Sequence, residues 1–138
     1  MATRLKAVFY RAPDGSEPVD AYIASQPVRD QVLIDNVVDR LNDLTDERPH
    51  LPFPHSSQLR GSLRELRCRV GRTQHRILYS RSDSLVVLLH AFTKAAKEVP
   101  EDEIAVALRR WEDFRSRMNE TPRRPPRAAG HDAPPSRG

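Results

Sequence analysis

Three apolar-rich segments, "SLRELRCRV" (62–70), "TQHRILYS" (73–80) and "SLVVLLHAF" (84–92), are joined by nothing longer than the turns Gly71-Arg72 and "RSDS" (81–84). Connections this short bring successive strands back alongside one another, so the three segments form an antiparallel meander. The third is almost entirely apolar from Leu85 to Leu89. That pattern suits a strand covered on both faces and predicts the central, doubly buried strand of the sheet.

The flanking sequence supplies the other elements. In "RLKAVFYRA", Leu5, Ala7 and Phe9 alternate with Lys6, Val8 and Tyr10, a period of two that predicts a first strand. "PDGS" ends it with turn residues, and Ser16 is the candidate cap of a short helix opening at Pro18, with Val19, Tyr22 and Ile23 at helical spacing. Pro27 opens a longer helix, in which Leu33, Val37, Leu41 and Leu44, widened by Val38, form the expected inward stripe. "ERPHLPFPHSSQ" (47–58) reads as a proline-broken loop. After the meander, Pro100-Glu101-Asp102-Glu103 places carboxylates where a helix dipole favours them, and Ile104, Leu108, Trp111 and Phe114 or Arg115 form the predicted stripe. The fold class is therefore α+β: an antiparallel sheet of about four strands with two N-terminal helices and one C-terminal helix.

A chain of 138 residues is expected to fold as one domain. The sequence divides it into a folded part, 1–120, and a tail, 121–138, "TPRRPPRAAGHDAPPSRG". Five of the twelve prolines and no large hydrophobe fall in that tail, which is expected to stay disordered and dispensable. Cys68 is the only cysteine, so an internal disulfide is excluded, and its strand position predicts a small core residue. "MATRLKAVFY" lacks the apolar core of a signal peptide and no run is long enough to span a membrane, making the cytoplasm the default compartment.

Charge carries the functional signal. The formal charge is +4, yet 59–81 holds seven arginines against one acid, Glu65, a local charge of 7 − 1 = +6. Alternation places Leu66, Cys68 and Val70 on one side of their strand and Glu65, Arg67 and Arg69 on the other, with Arg76 facing away from Ile77 and Tyr79 on the next strand. If helices cover the first side, the arginines share an open face. Guanidinium forks suit phosphate oxygens, so this face is expected to hold a phosphodiester backbone, with Arg60, Arg64, Arg69, Arg72 and Lys97 as candidate RNA-binding residues. His50 and His55 have no acid or cysteine at ligand spacing, and neither a metal site nor another cofactor is expected.

The stretch from about Val19 to Phe114 resembles the RelE/HigB/ParE superfamily of type II toxins, in particular its phage-derived, HigB-like branch, with the motifs that carry the resemblance lying between Leu59 and Phe114. The matching signatures are "LRGSLRELR", "HRILY", "LLHAFTK" and "VPEDEIAVA", in the family's order. The resemblance implies a RelE-like fold and a toxin held silent by a helix-turn-helix antitoxin. It also implies a metal-independent endoribonuclease that cuts mRNA on the ribosome, with the substrate's 2′-hydroxyl as nucleophile. By the same resemblance Arg76 would contact the scissile phosphate, Arg67 would hold a neighbouring phosphate, and Lys94 would transfer protons. His90 is a further acid–base candidate, although its place at the end of an apolar strand also suits a core histidine. The sequence departs from the branch at Arg64, where tryptophan is usual, at His75, where tyrosine is usual, and at Ala95, where a second lysine is common. His75 is expected as a bystander on the rim beside Arg76. Two other readings follow the same resemblance: a gyrase poison of the ParE kind acting by protein contact, and a non-catalytic relative that binds antitoxin or nucleic acid.

Overall fold

The computed structural model describes residues 2–52, 54–118, 120 and 124–131. Its elements are β1 (Lys6–Phe9), α1 (Pro18–Ala24), α2 (Val28–Leu41), β2 (Ser56–Arg60), β3 (Leu63–Val70), β4 (Thr73–Ser82), β5 (Leu85–Thr93) and α3 (Glu101–Ser116). The fold is α+β, with five strands in the order β1-β5-β4-β3-β2.

The meander forms as its turns dictate, with Arg67 opposite Arg76 and Arg76 opposite Phe92. Gly71 turns the first hairpin at φ +60°, a left-handed conformation that costs glycine little. The sheet is mixed rather than wholly antiparallel, because β1 pairs parallel to β5, Lys6 opposite Leu85 through Phe9 opposite Leu88. No tight turn ties β1 to its neighbour, so nothing local fixes its direction. The fifth strand, β2, comes from the end of the proline-rich stretch, where Ser56 and Ser57 pair with Leu66 and Glu65.

Helices cover both faces of the sheet, giving two apolar layers. On one side Val19 and Ile23 of α1 and Ile34, Val38 and Leu41 of α2 pack against Leu66, Cys68, Val70, Ile77, Tyr79 and Leu88. On the other, Ile104, Ala107, Trp111 and Phe114 of α3 pack against Leu63, Leu78, Val87, Leu89 and Phe92. Strand β5 is thus buried on both faces as expected, each of its large apolar side chains contributing about 1.5–3 kcal/mol, while the geometric middle of the five strands is β4. Cys68 is buried in the first layer.

Several details differ from expectation. Ser16 does not cap α1; its amide and hydroxyl both donate to Asp14, and Glu17 occupies the cap position. The inward stripe of α2 is Ile34, Val38 and Leu41, leaving Leu33 at 37% exposure, and Ala107 replaces Leu108 in the stripe of α3. In the second case a small side chain lets the helix approach the sheet closely. Finally, part of the stretch expected to remain disordered is ordered. Residues 127–129 run along the free edge of β1, with the Phe9 amide donating to the Arg127 carbonyl and the Ala129 amide to that of Ala7, both at 2.9 Å. Arg127 reaches Glu17 (3.0 Å) and Asp20 (2.9 Å) on α1 and lies over the Phe9 ring. Backbone pairing and one buried guanidinium do what the missing hydrophobes cannot. Positions 121–123 and 132–138 of the tail lie outside the described residues.

Candidate nucleic-acid interface

Strand alternation and cross-strand register place three charged groups side by side on the α3-side face. Glu65 and Arg67 are two residues apart on β3, and Arg67 is the direct partner of Arg76 on β4. The Glu65 side chain is only 3% exposed, and its Oε1 lies 2.8 Å from Arg67 Nε and 3.4 Å from Arg76 Nε. The single acid of the basic stretch is therefore the carboxylate on which both arginines converge.

Each arginine is fixed at more than one point. Arg67 donates to the Pro54 carbonyl (3.1 Å) and Ser57 Oγ (2.9 Å), and its amide donates to the His55 carbonyl (2.9 Å). Arg76 is buried; its Nη2 donates to Gln74 Oε1 at 2.8 Å and its Nη1 to the His75 carbonyl at 3.2 Å. Burial lowers the Arg76 pKa, the Glu65 charge opposes that shift, and Arg67 adds to it. Its Nε is buried and faces the Glu65 carboxylate as an ion pair rather than as a well-aligned hydrogen bond. The face is not wholly open, because α3 covers its β4 and β5 side.

Arg67 and Arg76, with Arg69 and Gln74, line a cleft of about 570 Å³ whose lining also includes Leu33, Val37 and Arg40 of α2, Cys68 and His55, so that it draws on residues of both sides of the sheet. Arg40 Nη1 lies 3.2 Å from His55 Nε2. Lys94 follows the end of β5, half-buried, with its amide bonded to the carbonyl of Gln74, the residue whose side chain holds Arg76.

The other candidates scatter. Arg69 and Arg72 are exposed beside the β3–β4 turn, Arg69 Nε donating to the Gly71 carbonyl, and Lys97 is exposed in the loop before α3. Arg60 forms a two-pronged ion pair with Glu101 at 2.8 and 2.7 Å, tying β2 to the first turn of α3. Arg64 falls on the opposite face, where its Nε donates to Ser56 Oγ. His90 is enclosed under α3: Nε2 contacts Glu103 Oε1 (3.2 Å), Nδ1 contacts Arg110 Nη1 (3.1 Å), and the ring stacks on Phe92. Its partners are side chains of α3, and burial lowers its pKa against the pull of Glu103.

His75 is not on the rim. It is 1% exposed, on the α1/α2 side, with Nε2 2.8 Å from Asp30 Oδ2 and Nδ1 2.6 Å from the Tyr22 hydroxyl, which continues to Thr93 Oγ1 at 2.8 Å. Sequence patterning alone assigns no role to Glu65, Gln74, Arg40 or His55. For Glu65 the signal was present, as the lone acid among seven arginines; the other three are joined to the cleft only by tertiary packing. Among the described residues no group of three or more histidine, cysteine or carboxylate side chains is placed to hold a metal ion.

Among the described residues no helix is long and apolar enough to cross a membrane. No curated protein matches the chain. The profile of the family described as Phage derived protein Gp49-like (DUF891) matches residues 21–112, from α1 through most of α3 and across the whole Glu65–Arg67–Arg76 array. That family includes RelE-like toxins, and with two thirds of its length matched the chain belongs to the Gp49-like family of phage-derived proteins.

Proposed function

We propose that this protein is the toxin of a type II toxin–antitoxin pair and cleaves mRNA on the ribosome without a metal. The observation carrying this reading is the buried Glu65 carboxylate, which aligns Arg67 and Arg76 at the wall of a cationic cleft. In the reaction, the 2′-hydroxyl oxygen attacks the adjacent phosphorus and the bond to the 5′-oxygen breaks. One proton leaves the 2′-hydroxyl and one is delivered to the departing oxygen, giving a 2′,3′-cyclic phosphate and a free 5′-hydroxyl. Charge accumulates on the phosphoryl oxygens, where fixed guanidinium donors lower the barrier most because they need no reorganisation.

Arg76 takes the scissile phosphate and Arg67 a neighbouring one or a share of the transition-state charge. Lys94 remains the proton-transfer candidate. Its backbone bond to Gln74 couples its position to the residue that orients Arg76. Arg40 and Arg69 extend the positive lining for flanking phosphates, and the ribosome supplies the stretched mRNA. The implied partners are thus the ribosome with its mRNA, in the cytoplasm, and an antitoxin with a helix-turn-helix domain.

A second reading, a toxin acting by protein contact alone, draws support from α2, which exposes Val28 (75%) and Val32 (46%) beside Leu33. A cell-free translation system separates the two. The ribonuclease reading expects a translated message to be cut when the protein is added, and the same message to survive when initiation is blocked. An intact message in both reactions, with translation unimpaired, rejects it.

A further inference from the structure

On the α1/α2-side face of the sheet, away from the Glu65 array, a separate pocket of about 240 Å³ lies at the Pro49-His50 segment. That is far more than the ~15 Å³ one water needs. It is lined by Arg64 of β3, Arg81 and Tyr79 of β4, His50, Gln58 and Ser62, and no carboxylate side chain lines it. Arg64 is anchored through Nε to Ser56 Oγ at 3.3 Å, and that hydroxyl is fixed from behind by the buried Tyr79 hydroxyl at 2.6 Å. Arg81 is anchored through Nε to the Asp83 carbonyl at 2.8 Å.

Both guanidiniums are therefore held by one nitrogen, which leaves their terminal Nη groups as donors, and among the described residues neither forms an ion pair. Arg60 and Arg67, by contrast, each pair with a carboxylate. We infer that this pocket is an anion site for a phosphate group, gripped by Arg64 and Arg81 with the His50 imidazole and the Gln58 and Ser62 side chains as neutral neighbours. A fork of guanidinium donors from two adjacent strands matches the tetrahedral oxygens of a phosphate monoester or diester. Burial, Arg64 and then Arg81 lower the His50 pKa, so the imidazole adds hydrogen-bonding capacity without a third charge. The inference is independent of the ribonuclease reading, because none of its residues lines the Arg67–Arg76 cleft.

The test is an NMR titration of the full chain with inorganic phosphate at fixed ionic strength, observing the side-chain Nε–H signals of Arg64 and Arg81. Saturable shifts at both are expected, with affinity falling about tenfold in Arg81→Gln and, separately, in Arg64→Gln. Arg81 is exposed, so its replacement leaves the core intact and serves as the folding-safe variant. A parallel titration uses a short 2′-O-methyl oligonucleotide with hydroxyl ends, which supplies only phosphodiesters. Shifts with both probes assign the site to a nucleic-acid backbone, and shifts with phosphate alone assign it to a small phosphorylated ligand. Absence of saturable shifts at these two residues, or unchanged phosphate affinity in both variants, overturns the inference.

Discussion

The two faces of the sheet bury two ionisable clusters, and they are built to different ends. On the α1/α2 side, Asp30, His75, Tyr22 and Thr93 form a closed chain in which both ring nitrogens of His75 are occupied and its ring is sealed from solvent. On the α3 side, Glu65 is equally buried, but both arginines it holds line a cleft. A saturated buried network fastens secondary structure; here it pins the α1–α2 hairpin to β4 and β5. A network whose guanidiniums line a cleft is what the proposed ribonuclease needs to grip a phosphate. Burial of charge alone therefore does not distinguish the two clusters, and access to the cleft does.

The contrast breaks most readily at Asp30. Asp30→Ala strands His75 and opens the closed chain, and is expected to cost about 3 kcal/mol by thermal or denaturant unfolding, with activity per folded molecule retained. Glu65→Gln supplies the converse, since it preserves volume but removes the charge that aligns two guanidiniums. Cleavage is expected to fall about 10- to 100-fold with the melting temperature lowered by only a few degrees. Equal losses of stability with equal retention of activity in the two variants would erase the distinction.

A smaller effect is expected at the β1 edge. A Cβ at Gly130, where φ is +107°, would collide with the Asp39 carboxylate. Gly130→Ala should therefore loosen the 127–131 segment and lower stability by about 1–2 kcal/mol, read by unfolding and by faster hydrogen exchange at Phe9 and Ala129. Smallest is His90. Its folded pKa lies below its ordinary 6.5, so the unfolded chain binds the proton more readily. The corresponding stability is present above pH ~6.5 and is lost as pH falls from there towards the folded pKa. His90→Asn should flatten that part of the stability profile in unfolding curves taken across the window.

The sequence reveals what local rules govern. The hairpins follow from Gly71 and "RSDS", the double burial of β5 from its apolar run, and the shared face of Glu65, Arg67 and Arg76 from alternation. The parallel direction of β1 was not legible, because its partner β5 is chosen across a long excursion through two helices and three strands. Leu33 and Val37 satisfy the helical period as well as Ile34 and Val38 do, and only the sheet decides which pair turns inward. Alternation already put His75 on the Ile77 side, but its proximity to Arg76 in sequence suggested the rim instead. The order of the 127–129 segment has no signature in the sequence, because backbone hydrogen bonds to an unfilled strand edge leave no compositional trace.

The central claim, that Arg76 contacts the phosphate being cut, is tested most directly by inducible expression of the wild type and Arg76→Ala in bacteria, with primer extension on several abundant mRNAs. The account predicts cuts spaced with the reading frame and growth arrest for the wild type. Both should be lost at least ~100-fold in Arg76→Ala while the variant remains folded. Undiminished cleavage by Arg76→Ala, or growth arrest by the wild type without any cleaved message, would contradict it.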